Sequence, residues 1–98
     1  MKLITKKIAQ TIPALGATEH EKDPVAHVKL FTPDSSWTWY LTELDPDSRE
    51  AFGLVQGLEE ELGYFNLDEI SAIRGPLGLP IERDMFWKPR KLSEVKRS

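Results

Sequence analysis

Carboxylates, guanidinium groups and indoles are the side chains in this 98-residue sequence whose types could do chemistry. Asp34, Glu43 and Asp45, with the run Glu59 to Glu61, offer oxygen donors to a hard divalent cation, and paired carboxylates can also hydrolyse, but their spacing matches no calcium loop. His20 and His27, with Glu19 and Glu21 nearby, are too loosely spaced across a loop-to-strand junction to read as a zinc set. There is no cysteine, so the chain has neither a thiolate nucleophile nor a disulfide framework, and a Cys-containing structural zinc site is excluded. No catalytic residue, metal ligand or cofactor is therefore assigned.

Two other groups are better candidates for binding. Trp37, Trp39 and Tyr40, with Phe31 and Lys29 upstream, would stack bases if they lay exposed on a sheet, at about 1 to 3 kcal/mol per base. The same rings would anchor a protein partner, or simply fill a small core. Arg74, Glu82, Arg83 and Asp84 place two guanidinium groups beside two carboxylates in a loop rich in Gly and Pro, where a bidentate ion pair to Arg74 or Arg83 is the expected anchor. The Gly75-x-x-Gly78 spacing lacks the Lys-Ser/Thr pair of a phosphate loop.

Charge narrows the partners. The net charge is −3, a weak basis for attraction to a nucleic acid backbone. Between Glu43 and Glu69 the only basic residue is Arg49, whereas Lys2, Lys6 and Lys7 at one end and Lys88, Arg90, Lys91, Lys96 and Arg97 at the other make the termini basic. No apolar run reaches signal-peptide or membrane-spanning length, and a cytoplasmic protein is expected.

The elements that must position these residues follow from periodicity and punctuation. Thr5 caps a short helix to about Thr11, with Ile4, Ile8 and Ile12 as its apolar stripe and Pro13 as its stop. Val25 to Thr32 alternates as a strand, with Ala26, Val28 and Leu30 on one face. After the turn Pro33-Asp34-Ser35-Ser36 comes a strand from Trp37 to Leu44, with Trp37, Trp39, Leu41 and Glu43 on one side and Thr38, Tyr40, Thr42 and Leu44 on the other. Aromatics on both sides predict a central strand covered on two faces. Ala51 to Gln56 is a third strand, in which Gly53 leaves room for a neighbouring aromatic. Glu61 to Asn66 is a short fourth strand. Asn66 or Asp68 caps a helix to Arg74 that turns Ile70 and Ile73 inward and stops at Gly75. Glu82 to Trp87 reads as a last extended segment, and Leu92 to Arg97 as a terminal helical turn.

Several long blocks carry a resemblance: Phe31 to Tyr40, Thr42-Glu43, Phe52 to Val55, Glu61 to Phe65, and Arg74 to Asp84. Through them nearly the whole chain resembles a small bacterial domain family of unknown function. The resemblance implies a cytoplasmic bacterial protein often encoded on plasmids and integrative elements, sometimes near antirestriction or plasmid-maintenance genes. It implies no activity, cofactor or catalytic residue.

The expectation is a single α+β domain over residues 1–98: a three- or four-stranded antiparallel meander centred on Trp37 to Leu44 and packed by two short helices. The expected function is non-enzymatic binding of a protein of the host or mobile element, including inhibition of a restriction or other defence system. The alternatives are single-stranded nucleic acid binding through the aromatic sheet and a small metal-dependent hydrolase or nuclease. A monomer or weak homodimer is expected, with any site where the Asp34 turn and the acidic exit at Glu43 and Asp45 meet the Arg74 to Asp84 loop.

Overall fold

The computed structural model describes residues 3–95. Its centre is an antiparallel sheet of β2 (Val28–Phe31), β3 (Thr38–Leu44), β4 (Glu50–Gln56), β5 (Glu60–Asn66) and β6 (Glu82–Arg83), in the order β5-β4-β3-β2-β6. A second, two-stranded sheet joins β1 (Val25–Ala26) to β7 (Arg90–Lys91). Two short helices, α1 (Lys6–Ala9) and α2 (Leu67–Ser71), and a single 3-10 turn (Leu92–Glu94) complete the elements. The architecture is α+β, with more strands than the three or four expected. The meander over β2 to β5 is extended because the chain returns after α2 to lay β6 beside β2, Leu30 facing Arg83 and Phe31 facing Glu82.

Strand β3 is covered on both sides, as its two-sided apolar content requires. One face packs Val28, Leu30, Trp39, Leu41, Leu44 and Ala51 against Leu67 and Ile70 of α2 and against Leu3, Ile4 and Ile12 around α1. The other face packs Ala26, Tyr40 and Leu54 under Leu92, Val95 and Trp87. The chain after β6 thus straps the second face. Its fastenings are polar: the Trp87 indole N–H donates to the Ala26 carbonyl (3.0 Å), and the Asp23 carboxylate accepts from the Ser93 amide (2.9 Å) and hydroxyl (2.5 Å). Those two bonds from Ser93 hold the Asp23 carboxyl below its ordinary value.

Strict alternation fails at two places beside Leu41. Val28 is the residue paired with Leu41, yet the His27 N–H also reaches the Leu41 carbonyl (2.8 Å), so two residues oppose one. The strand expected over Val25 to Thr32 is therefore broken, and Ala26 joins the second face instead of sharing that of Val28 and Leu30. On the other side of β3, Leu41 pairs with Gly53 but Glu43 pairs with Phe52. Thr42 is the extra residue, and Leu44 is returned to the face of Trp39 and Leu41, not that of Tyr40.

Three further expectations are corrected. The second helix ends at Ser71, well before Arg74, because its cap at Ala72 closes the last turn, and Ile73 is left 41% exposed instead of inward. The extended segment expected over Glu82 to Trp87 is limited to β6, since the Asp84 carboxylate accepts the Phe86 N–H (2.9 Å) and turns the chain. At Gly53 the close neighbour is backbone: a Cβ there would lie 1.7 Å from the Tyr40 carbonyl oxygen. The glycine against an aromatic is Gly57, where a Cβ would lie 2.2 Å from the Trp37 ring. The terminal helical turn is the 3-10 turn, and its expected end at Lys96 and Arg97 lies outside the described residues.

Candidate functional site

The β2–β3 connection is a closed clasp. The buried Thr32 accepts the Trp37 N–H through its hydroxyl (3.0 Å), and its own N–H donates to the Trp37 carbonyl (3.0 Å). Pro33 and Asp34 ride on top of it. From there the Asp34 carboxylate reaches across to the loop after α2, where Oδ2 accepts the Leu77 N–H (2.8 Å) and the Leu79 N–H (3.4 Å). Gly75 permits this approach, because a Cβ at that position would sit 1.7 Å from Asp34 Oδ1. Oδ1 itself is buried without a hydrogen-bond partner among the described residues. The Gly78 N–H closes a turn on the Gly75 carbonyl (2.9 Å), and the left-handed backbone of Gly78 (φ 80°) redirects the chain so that the Leu79 carbonyl accepts the Gly75 N–H (3.0 Å).

Between the clasp and this loop lies a groove of about 270 Å³. Thr32, Ser35, Trp37 and Trp39 form one wall, and Ile73, Arg74, Gly75 and Pro76 form the other. The two indoles are stacked, centroids 6.0 Å apart and planes at 27°, with Trp39 buried and Trp37 37% exposed. Arg74 donates from one guanidinium nitrogen to the Ser71 (3.0 Å) and Ile73 (2.9 Å) carbonyls. It thereby caps the carbonyl end of α2, and the residue also lines the groove. Leu77 and Leu79, further along the same loop, are both exposed.

Of the residues singled out by sequence, the fold brings Asp34, Trp37, Trp39 and Arg74 together and disperses the rest. Tyr40 faces the strap, its ring 5.4 Å from that of Trp87, and burial pushes its phenol up from the ordinary value. Glu43 is buried and holds the loop before β1. It accepts the Gly16 (2.8 Å) and Thr18 (2.9 Å) amides and a short bond from the Thr18 hydroxyl. Burial pushes its carboxyl up, but these three donors outweigh that and hold it below the ordinary range. Asp45 accepts the Asp47 N–H (3.0 Å) in the β3–β4 turn, and that amide keeps its carboxyl low. Asp34 lies at one end of β3, and Glu43 and Asp45 at the other. Among the described residues no group of three or more His, Cys, Asp or Glu side chains converges as a metal site.

Among the described residues, neither arginine forms the expected bidentate ion pair. Arg83 donates to the Leu3 carbonyl (2.6 Å) and to the Met85 sulfur (3.4 Å), tying α1's leading segment to β6. Glu82 is exposed on β6, and Asp84 faces Lys29 (3.9 Å). The anchor of the loop is instead Asp34, through backbone amides that sequence spacing does not reveal. Ile73 is read from sequence as inward, and Leu77 and Leu79 lie in the expected Arg74 to Asp84 loop without being singled out; the Gly-Pro-Leu-Gly-Leu-Pro run marks that loop, but nothing in it says that its leucines stay exposed.

Fold and groove define a small antiparallel α+β domain with an apolar cleft between the Thr32–Trp37 clasp and the loop after α2. The chain belongs to the family described as protein of unknown function (DUF2958), which matches residues 3–96. No curated protein and no solved structure matches it. No helix among the described residues is long and apolar enough to cross a membrane.

Proposed function

We propose that this domain is a non-enzymatic protein-binding module whose recognition surface is the groove between Trp37 and the Ile73 to Leu79 loop. The observation that carries the reading is an apolar rim held open on a pinned scaffold: Trp37, Ile73, Leu77 and Leu79 remain exposed although Asp34 and Arg74 fix the backbone around them. Rigid aromatic and aliphatic anchors beside an arginine are what a partner side chain needs in order to bury area at low entropic cost. Stacking of a nucleic acid strand is less well supported, because Trp39 and Tyr40 are buried and, of the three rings, Trp37 alone is exposed. The family resemblance supports a partner from a bacterial host or mobile element, a restriction or other defence nuclease among them.

The test compares immobilised wild-type domain with Ile73→Glu and Leu77→Glu variants in bacterial lysate. A protein retained stoichiometrically by wild type and lost by both variants is expected. Identical recoveries from all three would overturn the reading. Saturable quenching of tryptophan fluorescence by an oligonucleotide at low salt would move it to nucleic acid.

A further inference from the structure

Strand β5 lies at the edge of the main sheet, seven residues long, opposite in the strand order to the two-residue β6. The pairing phase shows which of its backbone groups are used. The Gly57 N–H donates to the Glu59 carbonyl (3.0 Å) and the Leu67 N–H to the Arg49 carbonyl (2.9 Å), at the two ends of a ladder in which Gly53 faces Gly63. In an antiparallel ladder bonded pairs alternate, so Glu61, Gly63 and Phe65 turn their N–H and C=O groups toward β4. Leu62 and Tyr64 turn theirs outward.

Side chains repeat the pattern. Leu62 (58% exposed) and Tyr64 (66% exposed) stand opposite Leu54 and Phe52, with the Tyr64 ring edge-on to Phe52 at 4.8 Å. The strap that covers Tyr40 and Leu54 does not bury them. Between them Gly63 leaves open space, with nothing within 4 Å of a Cβ position. The leading end of the strand carries the exposed Glu59, Glu60 and Glu61.

A second copy is a poor occupant. A two-fold antiparallel pairing centred on Gly63 would set Glu60 and Glu61 of one copy beside the end of the other that carries Asn66, Asp68 and Glu69. A parallel pairing would set Glu60 and Glu61 on their own counterparts. Either arrangement opposes like charges across the seam.

We propose that β5 is a strand-addition site for an extended segment of another protein, paired antiparallel, with apolar residues opposite Leu62 and Tyr64 and Lys or Arg opposite Glu60 and Glu61. Outward backbone groups supply the hydrogen bonds, the Leu62/Tyr64/Phe52 face supplies the apolar contact, and the acidic end selects the basic terminus and its direction. This surface is separate from the Trp37 groove, so either proposal can fail alone.

The probe is the capped heptapeptide acetyl-Thr-Thr-Val-Thr-Val-Lys-Lys-amide, titrated to about 1 mM, a concentration matched to a weak complex, into the 15N-labelled full chain. Amide shifts centred on residues 60–66 are expected, with an affinity about fivefold or more above that of the same peptide ending in Glu-Glu, in keeping with the opposed charges. Leu62→Pro removes an outward N–H while sparing the ladder to β4, so the fold persists and the shifts vanish. Glu61→Lys, on an exposed position, reduces or reverses the preference between the two peptides. Absence of shifts, shifts centred elsewhere, indifference to the peptide's charge, or concentration-dependent shifts without peptide that report self-pairing would each overturn the proposal.

Discussion

The Thr42 hydroxyl donates to the Phe52 carbonyl at 3.1 Å, at the position where the β3–β4 ladder gains its extra residue. Thr42 is 1% exposed, so its hydroxyl must find a partner inside the protein, and the bulge places one in reach. Replacing Thr42 by Val keeps the shape and removes the bond. A loss of about 1 to 2 kcal/mol in urea unfolding is expected, with an unchanged m-value.

Gly53 and Gly63 face each other across β4 and β5 but have opposite tolerance. Alanine at Gly53 drives a methyl group into the Tyr40 carbonyl and toward the Leu41 Cα, backbone atoms that cannot step aside. A cost of about 3 kcal/mol or more is expected there, at the upper end for overpacking. Alanine at Gly63 meets open space and gains about 0.4 to 1 kcal/mol from the restricted unfolded chain. Thermal melts of the two variants test the contrast.

Asp34→Ala releases the loop without dismantling the sheet. The Leu77 and Leu79 amides lose their charged acceptor, and local stability falls by about 1.5 to 3 kcal/mol. Hydrogen exchange should accelerate at these two amides while the amides of β3 and β4 keep their protection. Uniform acceleration would show that the clasp supports the whole fold.

Glu43 gives the domain an acid-sensitive joint. Its carboxyl is held below the ordinary 4.5 in the folded protein and returns there on unfolding. The stability it contributes is therefore fully present above that ordinary value and is lost as pH falls through the lower, folded-state value. Glu43→Gln should be less stable than wild type at neutral pH by about 1 to 3 kcal/mol, reflecting weaker bonds to the Gly16 and Thr18 donors. The two proteins should converge as the pH falls through that lower, folded-state value. Parallel stability curves across that range would show that the carboxylate charge is not what matters.

Much of this arrangement is legible in the residues. Alternation and turn chemistry mark β3, β4 and β5 to within a residue, and the two-sided aromatics of Trp37 to Leu44 correctly imply a strand covered on both faces. The bulge at Thr42 is not legible, since a one-residue shift changes no composition and is fixed by how Gly53 fits beneath Tyr40. Strands β1 and β6 lie inside the segments read as extended, Val25 to Thr32 and Glu82 to Trp87, but at two residues each they are too short for their bounds to show, and β7, equally short, is not marked at all. The groove was half visible. Asp34 and Arg74 stand out by type, but their partners are backbone amides and carbonyls, which every residue carries and which only the folded path selects.

The strap across the second face has a consequence for synthesis. Trp87, Leu92 and Val95, near the end of the described residues, pack over Tyr40, Ala26 and Leu54. As the chain leaves the ribosome, β3 and β4 can pair long before those residues emerge. A half-made sheet therefore presents one finished side and one bare side. Nascent chains stalled before Trp87 should bind chaperones, whereas chains extended beyond Val95 should release them.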